Sequence, residues 1–69
     1  MSDVVINRVY DLRINMKVTQ EDLARALGVT RQTIIAVEKG NYTPSVALAI
    51  KISEFFKKPV DEIFKLEDK

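Results

Sequence analysis

The sequence predicts an all-α fold, a bundle of five short helices, and three observations carry that prediction. Apolar residues recur at spacings of three and four, the period of one helix face. Thr19, Thr30 and Ser45, all good capping residues, stand just before such stretches, and Gly28 and Gly40 stand just after two of them. No segment shows the strict polar–apolar alternation of a half-buried strand.

Taken in order, Val5, Val9, Leu12 and Met16 lie on one face of a first helix. Thr19 opens a second, with Glu21 and Asp22 in the first turn, where the helix dipole favours negative charge. It runs through Leu23, Ala24 and Leu27 to Gly28, the expected left-handed stop. Thr30 caps a third helix ending at Gly40. On a wheel at ~100° per residue, Ile34 and Val37 face the core. Gln32, Ile35, Ala36 and Lys39 share the opposite face, leaving Ile35 an exposed isoleucine. "NYTPS" is a loop by its turn residues. A fourth helix then buries Val46, Ala49, Ile52 and Phe56, widened by Leu48 and Phe55. After Pro59, Val60, Ile63 and Phe64 fit a short fifth.

The chain has 69 residues, a length that favours a single domain over 1–69 and buries only about 60% of its unfolded surface. It contains neither cysteine nor histidine, which excludes disulfides and thiolate metal sites and removes the commonest general base. No catalytic residue, metal ligand or cofactor is expected. An enzyme would need paired carboxylates, and the acidic residues sit where capping or solvation accounts for them. No apolar run approaches the ~20 residues of a membrane span and no leader pattern is visible, so the expected location is cytoplasmic. Net charge is +1, but from Leu23 to Lys58 six cations are opposed only by Glu38 and Glu54, with acidic residues flanking that stretch on both sides. Such a distribution suits one positive face on a nearly neutral protein, and also an ordinary mixed surface.

The second and third helices are separated only by Gly28, Val29 and the capping Thr30. Helices so joined cross steeply, and a small residue is needed at the contact; Ala24, four residues before the glycine, is placed for that. Gln20, Leu23, Ala24, Leu27, Gly28, Val29, Ile34 and Val37 together have the spacing of a helix-turn-helix over about 19–40. On the third helix, Gln32 can pair with adenine and Arg31 with guanine, while Ile35 and Ala36 offer methyl groups to thymine. Lys39 supplies charge without sequence information.

"TQEDLARALGVTRQTIIAVEKGNYTPS" resembles the central signature of the Cro and phage-repressor (XRE) family of helix-turn-helix regulators, and "KPVDEIF" its closing helix. The likeness spans roughly Val5 to Phe64. It implies a five-helix, λ-repressor-like orthogonal bundle binding double-stranded DNA at a pseudo-palindromic operator as a homodimer, typically as a repressor. It also implies roles for matching residues. Gln20 would contact a phosphate and brace the recognition helix. Thr30, Arg31 and Gln32 would reach phosphates and base edges, with Ala36 a further base-facing position. Lys39, Asn41, Tyr42 and Thr43 would line the DNA backbone, and Arg13 and Glu38 would form a structural ion pair. Lys57 departs from the pattern, standing where the family usually ends its fourth helix with glycine, and Lys58 replaces a common apolar residue.

Several alternatives stay open. Tyr42 fits a loop anchor equally well, Ile35 fits a protein contact, and Arg31, Gln32 and Gln20 fit ordinary solvated positions. The apolar surplus of Ile50, Phe55 and Leu66 suits either a dimer interface in the C-terminal third or completion of the core. Residues 65–69 read as a frayed tail or as a segment pairing across a dimer. A protein-interaction module, such as an antitoxin built on the same scaffold, is the second functional class.

Overall fold

The computed structural model describes residues 4–67. In chain order these form β1 (Val5–Asn7), α1 (Val9–Asn15), α2 (Gln20–Leu27), α3 (Arg31–Lys39), α4 (Val46–Phe56), α5 (Val60–Ile63) and β2 (Phe64–Leu66). The five expected helices are present, but a two-stranded antiparallel sheet joins the two ends, so all-α is only approximate. Val5 pairs with Leu66, Ile6 with Lys65 and Asn7 with Phe64. Further bonds extend the ladder on both sides, Arg8 N–H to the Ile63 carbonyl at 2.9 Å and Glu67 N–H to the Val4 carbonyl at 2.7 Å.

This sheet corrects both ends of the sequence reading. Val5 belongs to a strand, not to the first helix, and Met16 lies beyond the end of α1 and is exposed. Phe64 adopts φ −119°, ψ 131° and begins β2, so the last helix is a single turn. Residues 65–67 are paired within their own chain, whereas Asp68 and Lys69 lie outside the described residues. Three-residue strands carry too little alternation to register in the sequence, and each acquires its pattern only from the other.

Local signals elsewhere act as their chemistry requires. The hydroxyls of Thr19, Thr30 and Ser45 accept from the backbone N–H groups of Asp22, Thr33 and Leu48 at 3.0, 3.2 and 3.1 Å. Gly28 and Gly40 close α2 and α3 in the left-handed region at φ 74° and 78°. Lys57 closes α4 in the same region, at φ 58°, ψ 44°, although it carries a Cβ. The Ser53 carbonyl accepts from Lys58 N–H at 3.2 Å, and the Ser53 hydroxyl donates to the Lys58 carbonyl at 2.5 Å, which holds the turn in place. Lys57 therefore supplies the left-handed stop itself, without a glycine. A lysine there costs about 1–2 kcal/mol, partly offset because glycine would add freedom to the unfolded chain. Lys57→Gly is accordingly expected to raise stability by about 0.5 kcal/mol, read as a higher urea midpoint at unchanged slope.

The core comprises Val9 and Leu12 of α1, Leu23, Ala24 and Leu27 of α2, Ile34 and Val37 of α3, Leu48, Ile52 and Phe56 of α4, and Ile63 of α5. Val46 is a correction: it is 77% exposed, and Ala49 is only half-buried. Leu48, Ile52 and Phe56 succeed one another at i+4, and that row, not the row through Val46, turns inward. Phe55 is half-buried and meets Phe56 edge-on at 5.1 Å. Leu66, 61% exposed, borders an apolar groove with Val5, Phe64, Val60, Pro44 and Val46.

Candidate nucleic-acid interface

The crossing of α2 and α3 rests on Ala24, which is buried, and on its carbonyl, which accepts from Val29 N–H at 3.0 Å. Any larger side chain at Ala24 would separate the helices. Ile34 and Val37 anchor α3 from within, both fully buried. Arg31, Gln32 and Lys39 are exposed. Ile35 and Ala36 are half-buried, so Ile35 is not the freely exposed isoleucine expected from the wheel. Its angle on the wheel points away from the core, so the partial cover comes from what packs beside α3, and one edge stays outward.

One acid lies on α3, and it is withdrawn from the outer face. The Arg13 guanidinium from α1 grips Glu38 with both ends, Nε to Oε2 at 2.6 Å and Nη2 to Oε1 at 3.1 Å. Arg13 is 6% exposed, its Nη1 donates to the Val18 carbonyl at 3.0 Å, and its guanidinium sits 5.3 Å from the centre of the Tyr10 ring. From α2, Gln20 Nε2 donates to Glu38 Oε1 at 3.1 Å. Three helices thus converge on one carboxylate. Hydrogen bonding to Glu38 raises the Arg13 pKa above its already high ordinary value, against an opposing contribution from burial.

Beside this cluster, Tyr10, Ile14, Thr19, Gln20 and Arg31 line a cleft where the starts of α2 and α3 face α1. The Thr30 hydroxyl is engaged locally, 3.0 Å from that of Thr33. Beyond α3, Asn41, Tyr42 and Thr43 are exposed, and Tyr42 lies outside the core cluster. Thr43 also reaches the rim of the apolar groove. The arrangement is therefore an exposed helix edge carrying two cations and an amide, with a polar cleft at its start and an exposed loop at its end. No group of His, Cys, Asp or Glu among the described residues could hold a metal, and no described helix is long and apolar enough to cross a membrane.

A helix-turn-helix family model matches residues 9–63, which takes in both crossing helices and the buried residues that position them. The chain belongs to the XRE-type helix-turn-helix family. Among similar chains is an uncharacterized HTH-type transcriptional regulator of Methanocaldococcus jannaschii, 53% identical over 90% of this chain and 94% of its own length. The cryptic phage CTXphi transcriptional repressor RstR of Vibrio cholerae is 32% identical over 83% of this chain and 51% of its own. A crystal structure of a candidate DNA-binding protein from Bacteroides fragilis superposes with a TM-score of 0.79 at 20% identity, over 88% of this chain and 98% of that one, a likeness of fold.

Two residues around the end of α3 and its ion pair are not legible in the sequence as partners there. Tyr10 shares the first helix's outer surface with ordinary polar residues, and its place over Arg13 depends on how α1 packs. Asn7, two residues before α1, carried a usable signal, since asparagine there readily caps a helix. Its side chain does accept from Val9 N–H at 3.0 Å, but its second partner is the Val37 carbonyl, thirty residues away.

Proposed function

We propose that this protein is a sequence-specific regulator of transcription, most simply a cytoplasmic, non-enzymatic repressor. It binds double-stranded DNA as a homodimer through a bundle of the λ-repressor type. The observation that carries this reading is the sequestration of Glu38: with its one acid held inside by Arg13 and Gln20, α3 offers a phosphate-lined groove only cations, an amide and apolar edges. Arg31 pairs with guanine and Gln32 with adenine, and the outward edges of Ile35 and Ala36 meet thymine methyls. Gln20, whose second amide proton is not used by Glu38, joins Thr30, Lys39, Asn41, Tyr42 and Thr43 in contacting the backbone.

One recognition helix reads too few base pairs to pick out a site, so two copies are needed, with half-sites one turn (~34 Å) apart. The apolar groove between the sheet, α5 and the start of α4 supports self-association. Among the described residues its one charged lining residue is Lys65, and it adjoins the DNA-side loop at Thr43, so a second copy seated there would present its own α3 along the same duplex. The same groove is what favours the second reading, a scaffold that captures another protein.

Selection of bound duplexes from a randomised pool in about 150 mM salt separates the two, since non-specific binding is weak there. A two-fold-symmetric motif is expected. No enrichment by folded protein, with a partner co-purifying, would favour the second reading. On the selected site, Gln32→Ala is expected to cost about 1–3 kcal/mol at one base pair, and Lys39→Ala to weaken all sequences alike while flattening the salt slope by about one. Identical behaviour of the two variants on selected and random duplexes would refute these roles.

A further inference from the structure

We infer that Asn7 is a positioning residue for the recognition helix, and that through it the short terminal sheet sets the pitch at which α3 meets DNA; this rests on the DNA-binding reading above. The Asn7 side chain uses both ends of its amide. Oδ1 accepts from Val9 N–H at 3.0 Å, which begins α1, a task the adjoining Arg8 side chain does not perform. With Oδ1 so committed, Nδ2 can point only the other way, where it donates to the Val37 carbonyl at 2.8 Å. That carbonyl belongs to the last turn of α3 and also accepts from Gly40 N–H at 3.0 Å, so both its lone pairs are occupied. The Asn7 backbone meanwhile pairs with Phe64 in β2.

The last turn of α3 is therefore held at two consecutive residues by different parts of the molecule. Val37 is tied to the sheet through Asn7, and Glu38 to α1 and α2 through Arg13 and Gln20. The start of α3 is held by its own cap, the short turn from α2 and the burial of Ile34, with no side-chain bond from another element like those on its last turn. Without the Asn7 bond, α3 keeps its core contacts at Ile34 and Val37 but its last turn loses the tie to the sheet, and a slight tilt there would shift Arg31, Gln32, Ile35 and Ala36 together relative to the base edges. Base reading tolerates displacements of only about 0.5 Å, whereas phosphate contacts through long side chains adapt. Released pitch should therefore cost specificity before it costs non-specific affinity.

Asn7→Ser isolates this bond, because a hydroxyl can still accept from Val9 N–H but is too short to reach Val37. On the duplex selected by the unmodified protein, the folded variant is expected to bind roughly tenfold more weakly, about the loss of one base contact. Its affinity for random duplex and its salt slope stay unchanged. The variant is also made in the Lys57→Gly background, so that a loss of stability does not obscure the readout. Should urea midpoints fall while specific affinity holds, or specific and random affinities fall together, Asn7 is merely structural and the inference is overturned. NMR on unmodified protein needs no variant: a scalar coupling across the bond from Asn7 Nδ2 to the Val37 carbonyl carbon is expected with the duplex bound, and its absence there also overturns it. If the unmodified protein selects no site at all, it is the DNA-binding reading that fails, and the coupling in the free protein then reports on the bond alone.

Discussion

Arg13→Ala is expected to lower stability by about 3–5 kcal/mol, a loss large enough to unfold much of the population of so small a protein at room temperature. The cost arises less from the attraction forfeited than from what stays behind. Glu38 would remain in the interior with only the Gln20 amide for a partner, and the Val18 carbonyl would lose its donor. The check is urea unfolding followed by circular dichroism. Replacing both partners, Arg13→Met with Glu38→Leu, is expected to recover most of the loss, since no unpaired charge is then enclosed. Comparable damage from the double and single variants would mean that the pair contributes through attraction and not through the burial of its remnant. Arg13's raised pKa works in the stabilising direction at every ordinary pH. Its contribution is complete below the unfolded arginine value and fades only as pH climbs through the still higher folded one. The pair therefore gives no Arg13-linked pH dependence in the physiological range.

The second large effect separates two adjacent isoleucines. Ile34→Ala is expected to cost about 2–5 kcal/mol, because Ile34 is fully buried in the core and the surroundings relax only partly into the cavity left. Ile35→Ala, one residue on, is expected to cost less than about 1.5 kcal/mol, since its half-buried side chain loses contacts without opening an enclosed void. Its expected consequence is weaker binding to the selected duplex wherever a thymine methyl faced it. Urea midpoints with binding curves on a thymine-to-uracil substituted duplex test both halves. If unmodified protein binds the uracil duplex as tightly as the thymine one, Ile35 has no apolar role in the groove.

These two residues also show how far pattern reaches. The helical period, read over one turn, put Ile34 and Val37 inside, and hydroxyl caps with glycine stops bounded α2 and α3 to the residue. Those signals are legible because they act within about four positions of chain, where backbone geometry alone dictates the partner. The resemblance to the phage-repressor signature anticipated that Arg13 and Glu38 meet, although the spacing of the residues contains no such statement. The wheel misjudged Ile35 because it ranks angles and not neighbours, and how deeply a flank is covered depends on the elements packed beside it.

What lay beyond the chain's local grammar shares one physical cause. The terminal sheet exists because two three-residue segments, each too short to show a period or to be stable alone, are brought side by side when α1 and α5 close the bundle. That closure turns Val5 and Phe64 into strand residues and leaves Val46 outside the core. It also carries the Asn7 amide to the end of a helix thirty residues away. Local chemistry was sufficient for the helices, their caps and the crossing at Ala24, since each is stabilised by contacts near in sequence. The sheet, the converging bonds on Glu38 and the grip on Val37 needed the assembled bundle, because each joins groups that no short-range preference brings together.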